Sequence, residues 1–170
     1  SFPNPFLRAR GLSGTTTPAG VGWNDDLILE VLGDDGQPKY PHVTMTMLHN
    51  YNGHENSMLY GELAPLISAM RSRANQPLVT DEEEMEKLYD EKRDVFPEKQ
   101  RVFPMEKRFP VLMLSFLGPQ HARIFYACLD GKNLIIRQSK LYSFESKADA
   151  PVELFARFLL STPRDERVRG

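Results

Sequence analysis

"VLMLSFLGPQHARIFYACLDGKNLIIRQSKLY", residues 111–142, decides the class of fold. Val111 to Leu117 is almost wholly apolar, and Gly118-Pro119 breaks it with a turn. Arg123 to Leu129 reads as a second strand, Asp130-Gly131 as a hairpin turn and Leu134 to Tyr142 as a third strand. Short apolar runs joined by turn residues predict an antiparallel meander. Downstream, Pro151 suits the first turn of a helix in which Val152, Phe155, Phe158 and Leu159 face one way, and Thr162-Pro163 ends it.

Upstream, Leu59, Leu63, Leu66, Ile67 and Met70 recur at intervals of three and four, which predicts a helix with one apolar face. Asn56 or Ser57 would cap it near Met58. Pro65 either bends that helix or sets its true start near Glu62, because proline removes a backbone donor. Asn24-Asp25-Asp26 admits two readings, a helix cap or the start of a strand. The turn Gly33-Asp34-Asp35-Gly36 and the alternation in Val43-Thr44-Met45-Thr46-Met47 favour a hairpin. The expected fold is α+β, with an antiparallel sheet of three to five strands packed by two main helices.

With 170 residues, the chain suits one domain with its own core. Residues 1–22, rich in Pro and Gly, read as an irregular arm able to pack through Phe2, Phe6 and Leu7. Residues 23–163 form the domain, and 164–170 are a charged tail. Within the domain, residues 78–108 read as a charged insert, since 81–94 hold eleven charged side chains in fourteen. Three Phe-Pro pairs at Phe96, Phe103 and Phe109 then form a basic strap, extended because the residue before a proline is pushed out of the helical region. Its rings either tuck into the core, the favoured reading, or leave Phe96 and Phe103 exposed as docking anchors.

Apolar residues at 41% and charged residues at 26% match ordinary globular proteins. No apolar run approaches a bilayer span, and Ser1 to Pro5 shows no secretory signal. A net charge of −2 supplies no general attraction for nucleic acid. The single cysteine excludes an internal disulfide framework and any cysteine-rich zinc site, and fits an intracellular setting, cytoplasmic or nuclear.

Each candidate for chemistry is incomplete. His49, His54 and Glu55 lack the fixed third or fourth ligand that zinc requires. Cys128 lies in an apolar strand with only His121 nearby as a base, so a buried thiol is the simpler reading. The glycines at 11, 14, 20 and 22 do not join a strand to a helix, so they form no phosphate loop. Arg123, Lys132, Arg137 and Lys140 form a basic cluster, which strand alternation splits between two faces. Arg123, Arg137 and Lys140, with Phe96 and Phe103, are the candidate binding residues. No catalytic residue and no cofactor is expected.

Two resemblances follow. "GELAPLISAMRSRANQP", the stretch "FPVLMLSFLGPQHARIFYACLDGKNLIIRQSKLYSF" and "PVELFARFLLSTP" together resemble a module recurring in proteins of filamentous fungi, over about residues 57–163. The resemblance implies no activity. In element order alone, a helix bearing Glu62, three strands and a helix resembles the PD-(D/E)XK nuclease-like fold. That family binds a divalent ion through a helix glutamate and strand carboxylates. Here Glu62 matches by type, Asp130 falls in a turn, and Arg137-Gln138 stand where an acid is needed. The resemblance therefore implies a degenerate relative, with Glu62 and Asp130 as weak metal candidates. The expected function is a non-catalytic protein-interaction or scaffold domain with a protein partner. The alternatives are a degenerate nuclease-like domain that meets nucleic acid, and a small-molecule or peptide binder on the open sheet face. No membrane association is expected.

Overall fold

The computed structural model describes residues 5–7, 12–16, 21–91 and 96–163. In chain order its strands and helices are β1 (Gly14–Thr16), β2 (Val21–Leu29), β3 (Val43–Asn52), α1 (Tyr60–Ala74), α2 (Glu82–Asp90), β4 (Val111–Gly118), β5 (His121–Asp130), β6 (Asn133–Gln138), β7 (Tyr142–Ser143) and α3 (Val152–Leu159). The class is α+β. The charged tail at 164–170 lies outside the described residues, as does Phe2.

The meander forms as its pattern predicts. β4 pairs antiparallel with β5 from Val111↔Ala127 to Leu117↔His121, and β5 with β6 from Phe125↔Gln138 to Asp130↔Asn133. Gly131, at φ 61°, supplies the left-handed turn residue between β5 and β6. The third predicted strand divides near Ser139, whose N–H donates to Ile124 O at 2.9 Å while its own Oγ accepts from Ile124 N. β7 resumes the pairing with β5 at Ala122↔Tyr142.

The expectation of three to five antiparallel strands needs correcting, because the described residues form one sheet of seven. The β2–β3 hairpin is antiparallel, with a bulge where Asp25 meets Met47 and Leu27 meets Thr46. Asn24, Asp25 and Asp26 therefore lie in a strand and cap no helix. β3 then runs parallel to β4, Met45 opposite Met113. Parallel neighbours need a crossover, and the chain between β3 and β4, carrying α1 and α2, provides it. Gly14–Thr16, within the stretch read as an irregular arm, adds β1 at the edge beside β2. Leu7 and Leu12 from the same stretch are buried in the main core.

That core lies between α1 and the sheet. Trp23, Ile28, Met45, Met47, Val111, Met113, Phe125 and Ala127 meet Leu66, Ala69 and Met70 of α1, each large side chain contributing about 1.5–3 kcal/mol by leaving water. Gly61 lets α1 lie close on Trp23, since a Cβ there would stand 3.0 Å from the indole. The buried stripe of α1 is turned from the predicted one. It runs through Glu62, Pro65, Leu66, Ala69, Met70 and Arg73, while Ile67 is exposed. Charged residues occupy both ends of the core face, which an apolar count cannot register.

The opposite sheet face is half covered. Phe155 of α3 packs on Leu114, Ala122 and Ile124, with Phe116, Tyr142 and Phe144 around it. The ring of Phe155 meets Phe144 edge-on at 5.1 Å and Tyr142 at 5.6 Å. Val152 and Phe158, predicted to share that face, are exposed. The charged stretch after Pro77 forms α2, capped by Asp81, whose carboxylate accepts the Glu84 N–H at 2.8 Å.

Candidate functional site

Three groupings of polar residues arise from this architecture. The first lies at the N-terminal end of α1. Glu62 Oε2 accepts the Leu59 N–H at 2.8 Å, so its carboxylate ties down one of the free donors of the first helical turn. The same carboxylate faces the sheet. Arg123 donates from Nε to Oε1 at 2.8 Å and from Nη2 to Oε2 at 2.5 Å, and the Ser115 hydroxyl donates to Oε1 at 2.7 Å. Arg123 Nη1 spends its donors on the His54 and Ser57 carbonyls at 3.0 and 2.7 Å. Both side chains are fully buried. His49 lies in the same buried region, its Nε2 without a hydrogen-bond partner among the described residues. Burial pushes its imidazole below the ordinary value, opposed by Glu62 and aided by Arg123.

This cluster has the composition of a site and the access of a core. Both oxygens of Glu62 are taken and no water-facing coordination position remains, so it joins helix to sheet and holds the loop before α1. Asp130, the second metal candidate, lies seven residues beyond Arg123 along β5, roughly 23 Å away at the rise of a strand. There its carboxylate pairs with Arg108 at 2.9 Å on the surface. The fold does not bring Glu62 and Asp130 together. Among the described residues, no group of three or more His, Cys, Asp or Glu side chains could hold a metal ion.

The second cluster lies at the C-terminal end of α1. Arg73 Nη1 donates to Glu30 Oε2 and to Gln76 Oε1, both at 2.6 Å. Its Nη2 donates to the Tyr40 carbonyl at 2.7 Å and that of His42 at 3.4 Å. The Phe103 ring lies against the guanidinium, 5.1 Å from centroid to Cζ. Burial lowers the proton affinity of Arg73 from its ordinary value while Glu30 restores part of it. A guanidinium remains charged throughout the physiological range. Arg73 thus ties the end of α1 to the segment after β2, to the segment before β3, which a bridge from Leu32 to Pro38 also joins to it, and to the Phe103 segment.

Two of those segments, with Tyr40 and His42 on one and Phe103 on the other, line a cleft of about 920 Å³. Its floor is the part of the outer sheet face that α3 leaves bare. Thr44, Leu112, Tyr126 and Arg137 are register partners in turn and form one row across four strands. Cys128 and Ile135 form the row beside it. Phe158, Ser161 and Pro163 close the α3 side, and Lys39, Arg108 and Arg137 stand at the rim. Burial raises the Cys128 thiol above its ordinary value, with Arg108 pulling the other way. The thiol donates to the Leu129 carbonyl at 3.3 Å, and the carboxylates of Asp130 and Glu106 disfavour the thiolate that a nucleophile needs.

The sequence candidates therefore divide. Arg137 lines the cleft, and Lys140 is exposed nearby with its ammonium over the Tyr142 ring at 5.1 Å. Arg123 offers nothing to a partner, being wholly buried against Glu62. Phe96 is buried as well, its ring meeting Phe6 edge-on at 5.7 Å. Phe103 is partly buried and engaged by Arg73, and Phe109 is buried. The strap therefore closes on its own domain, because each ring gains more from the core than from water. The cleft residues Lys39, Tyr40, Leu112, Tyr126 and Ile135 were missed. The alternating outward positions of β4, β5 and β6 carried the signal, since Leu112, Tyr126 and Ile135 are larger and more apolar than a solvated face requires.

No protein family, curated protein or solved structure matches this chain.

Proposed function

We propose that this chain is a non-catalytic binding domain that receives a segment of a protein partner on the uncovered half of its outer sheet face. The observation that carries the reading is the cleft itself, an apolar floor of Leu112, Tyr126 and Ile135 with the cations Lys39 and Arg137 lining it beside Glu106 and the paired Arg108 and Asp130. Concave apolar ground with a few polar groups at its margin is the usual form of a binding site. The two charge clusters that resemble catalytic groupings have their ions committed to structural partners, which leaves the cleft as the surface available for recognition.

The test is a titration of isotopically labelled protein with extended peptides of alternating apolar and acidic residues, followed by amide chemical shifts. Saturable shifts centred on Leu112, Tyr126, Cys128, Ile135 and Arg137 are expected. Shifts confined to α1 or α2, or none with any peptide, would overturn the proposal. A duplex or single-stranded oligonucleotide serves as the competing probe, and tighter binding of nucleic acid than of every peptide would replace the protein partner with a polyanion.

A further inference from the structure

β6 ends the sheet, and the path of strands stops there. Which of its backbone groups face outward follows from one contact. Ser139 N–H donates to Ile124 O, so Ile124 and Ser139 form a hydrogen-bonded pair in the register that matches Phe125 with Gln138. Hydrogen-bonded and non-bonded pairs alternate along an antiparallel ladder. Residues 133, 135 and 137 therefore direct their backbone groups at β5, whereas Leu134, Ile136 and Gln138 direct theirs away from the sheet. Among the described residues, no backbone hydrogen bond reaches those outward groups. Three N–H and three C=O groups stand ready to pair at the margin of the cleft.

β6 and the turns beside it carry positive charge only, although Glu106 and Asp130, the latter paired with Arg108, also line the adjoining cleft. From Gly131 to Phe144 the chain has Lys132, Arg137 and Lys140 and no Asp or Glu. All three cations are exposed. Self-pairing of β6 about a two-fold centred on Ile136 would set Lys132 against Lys140 at both ends. Like charges in opposition oppose that dimer, and lysines at an edge protect it from its own kind. An acidic strand meets no such obstacle.

The geometry points to β6 as a docking edge that takes an extended acidic segment of a partner protein as an eighth strand, a proposal that rests on the cleft being the binding surface. Backbone pairing with Leu134, Ile136 and Gln138 supplies the attachment, and alternate side chains of the segment fall over the cleft beside Ile135 and Arg137. Main-chain bonds give affinity in this mode and alternate side chains give selectivity. The preferred segment places an acid beside Arg137 and an apolar residue beside Ile135.

The experiment compares an acidic-apolar peptide of six to eight residues with versions N-methylated at alternate positions. Methylation in the frame that faces β6 removes donors and should weaken binding roughly threefold to tenfold per site, the value of one hydrogen bond, while methylation in the other frame leaves affinity unchanged. Equal affinity in both frames would overturn strand addition but leave cleft binding standing. Failure of every peptide to bind would remove both. On the protein, Gln138→Pro deletes an outward N–H at an exposed position that the ladder does not use, so folding should persist while binding falls. Arg137→Glu should reduce affinity for the acidic peptide several-fold and raise it for a lysine-substituted peptide. An unchanged order of preference would overturn the acidic assignment.

Discussion

Arg123 and Arg73 are both withdrawn from solvent, at opposite ends of one helix, yet they hold different things. Arg123 faces a carboxylate that is itself wholly buried, and every partner of that pair belongs to α1, the loop before it or the sheet. Arg73 has its carboxylate on the segment after β2, and its two Nη groups also donate to Gln76 and to the carbonyls of Tyr40 and His42. The first is a closed unit that fixes helix to sheet. The second reaches outward, and the segments it holds form a wall of the cleft. A buried ion can thus serve the joining of helix to sheet in one place and the shape of a surface cleft in another, according to which partners accept its hydrogen bonds.

Breaking each pair in turn separates the two roles. Arg123→Met leaves the Glu62 carboxylate buried and uncompensated, and should cost about 3–5 kcal/mol in urea unfolding. The double variant Glu62→Leu/Arg123→Met removes both charges and should recover much of that loss, as apolar replacement of a buried ion pair commonly does. If the double variant is no more stable than the single one, the cost lies in the loop carbonyls of His54 and Ser57 and not in the unpaired charge. Arg73→Met should cost about 3 kcal/mol, toward the lower end of the same range, because methionine retains part of the packing on Phe103. Unlike the first variant, it should also weaken peptide binding at equal folded fraction. Unaltered binding would remove Arg73 from any role in the cleft.

The pH dependence sharpens the contrast further, because His49 belongs to the Arg123 end alone. Its folded-state value lies below the ordinary one, so below about pH 6.5 the unfolded chain binds more protons than the folded chain. Stability from this group is whole above that pH and is lost progressively as pH falls toward the folded-state value. Urea midpoints between about pH 5 and 6.5, above the range of ordinary carboxylates, should therefore fall for the parent protein and less steeply for His49→Gln. Identical slopes would mean that the buried imidazole accepts its proton without penalty.

Much of this arrangement was legible in the sequence, and the remainder failed for a physical reason. The strands of residues 111–142 announce themselves because apolar runs and turn residues are local signals. The parallel join of β3 to β4 is not local, since either hairpin alone looks complete and only the crossover through α1 puts them side by side. The α1 stripe was placed on the wrong rotation because Glu62 and Arg73 sit where apolar residues are expected. Their partners Arg123 and Glu30 lie far away in the chain, so no spacing reveals the pairing. Phe96 takes the buried place that the sequence favours for it, whereas Arg123, a binding candidate from the sequence, is consumed by the fold, and Arg137 lines the cleft. Burial decides such cases, and burial is settled only when distant segments meet.

Cys128 offers the smallest effect and a direct view of the cleft. Its thiol lies on the floor beside Ile135, and burial holds it above the ordinary range. Alkylation near neutral pH should accordingly be slower than for an unfolded cysteine, with the rate still climbing at pH values where an ordinary thiol has levelled off. Loosening the wall through Arg73→Met should speed it several-fold, because the reagent gains access and the thiolate gains water. Arg123→Met, compared at the same folded fraction, should leave the rate unchanged, since its cluster lies on the other face of the sheet. Equal acceleration by both variants would mean that the two arginines are coupled through the whole fold and that the division between them does not hold.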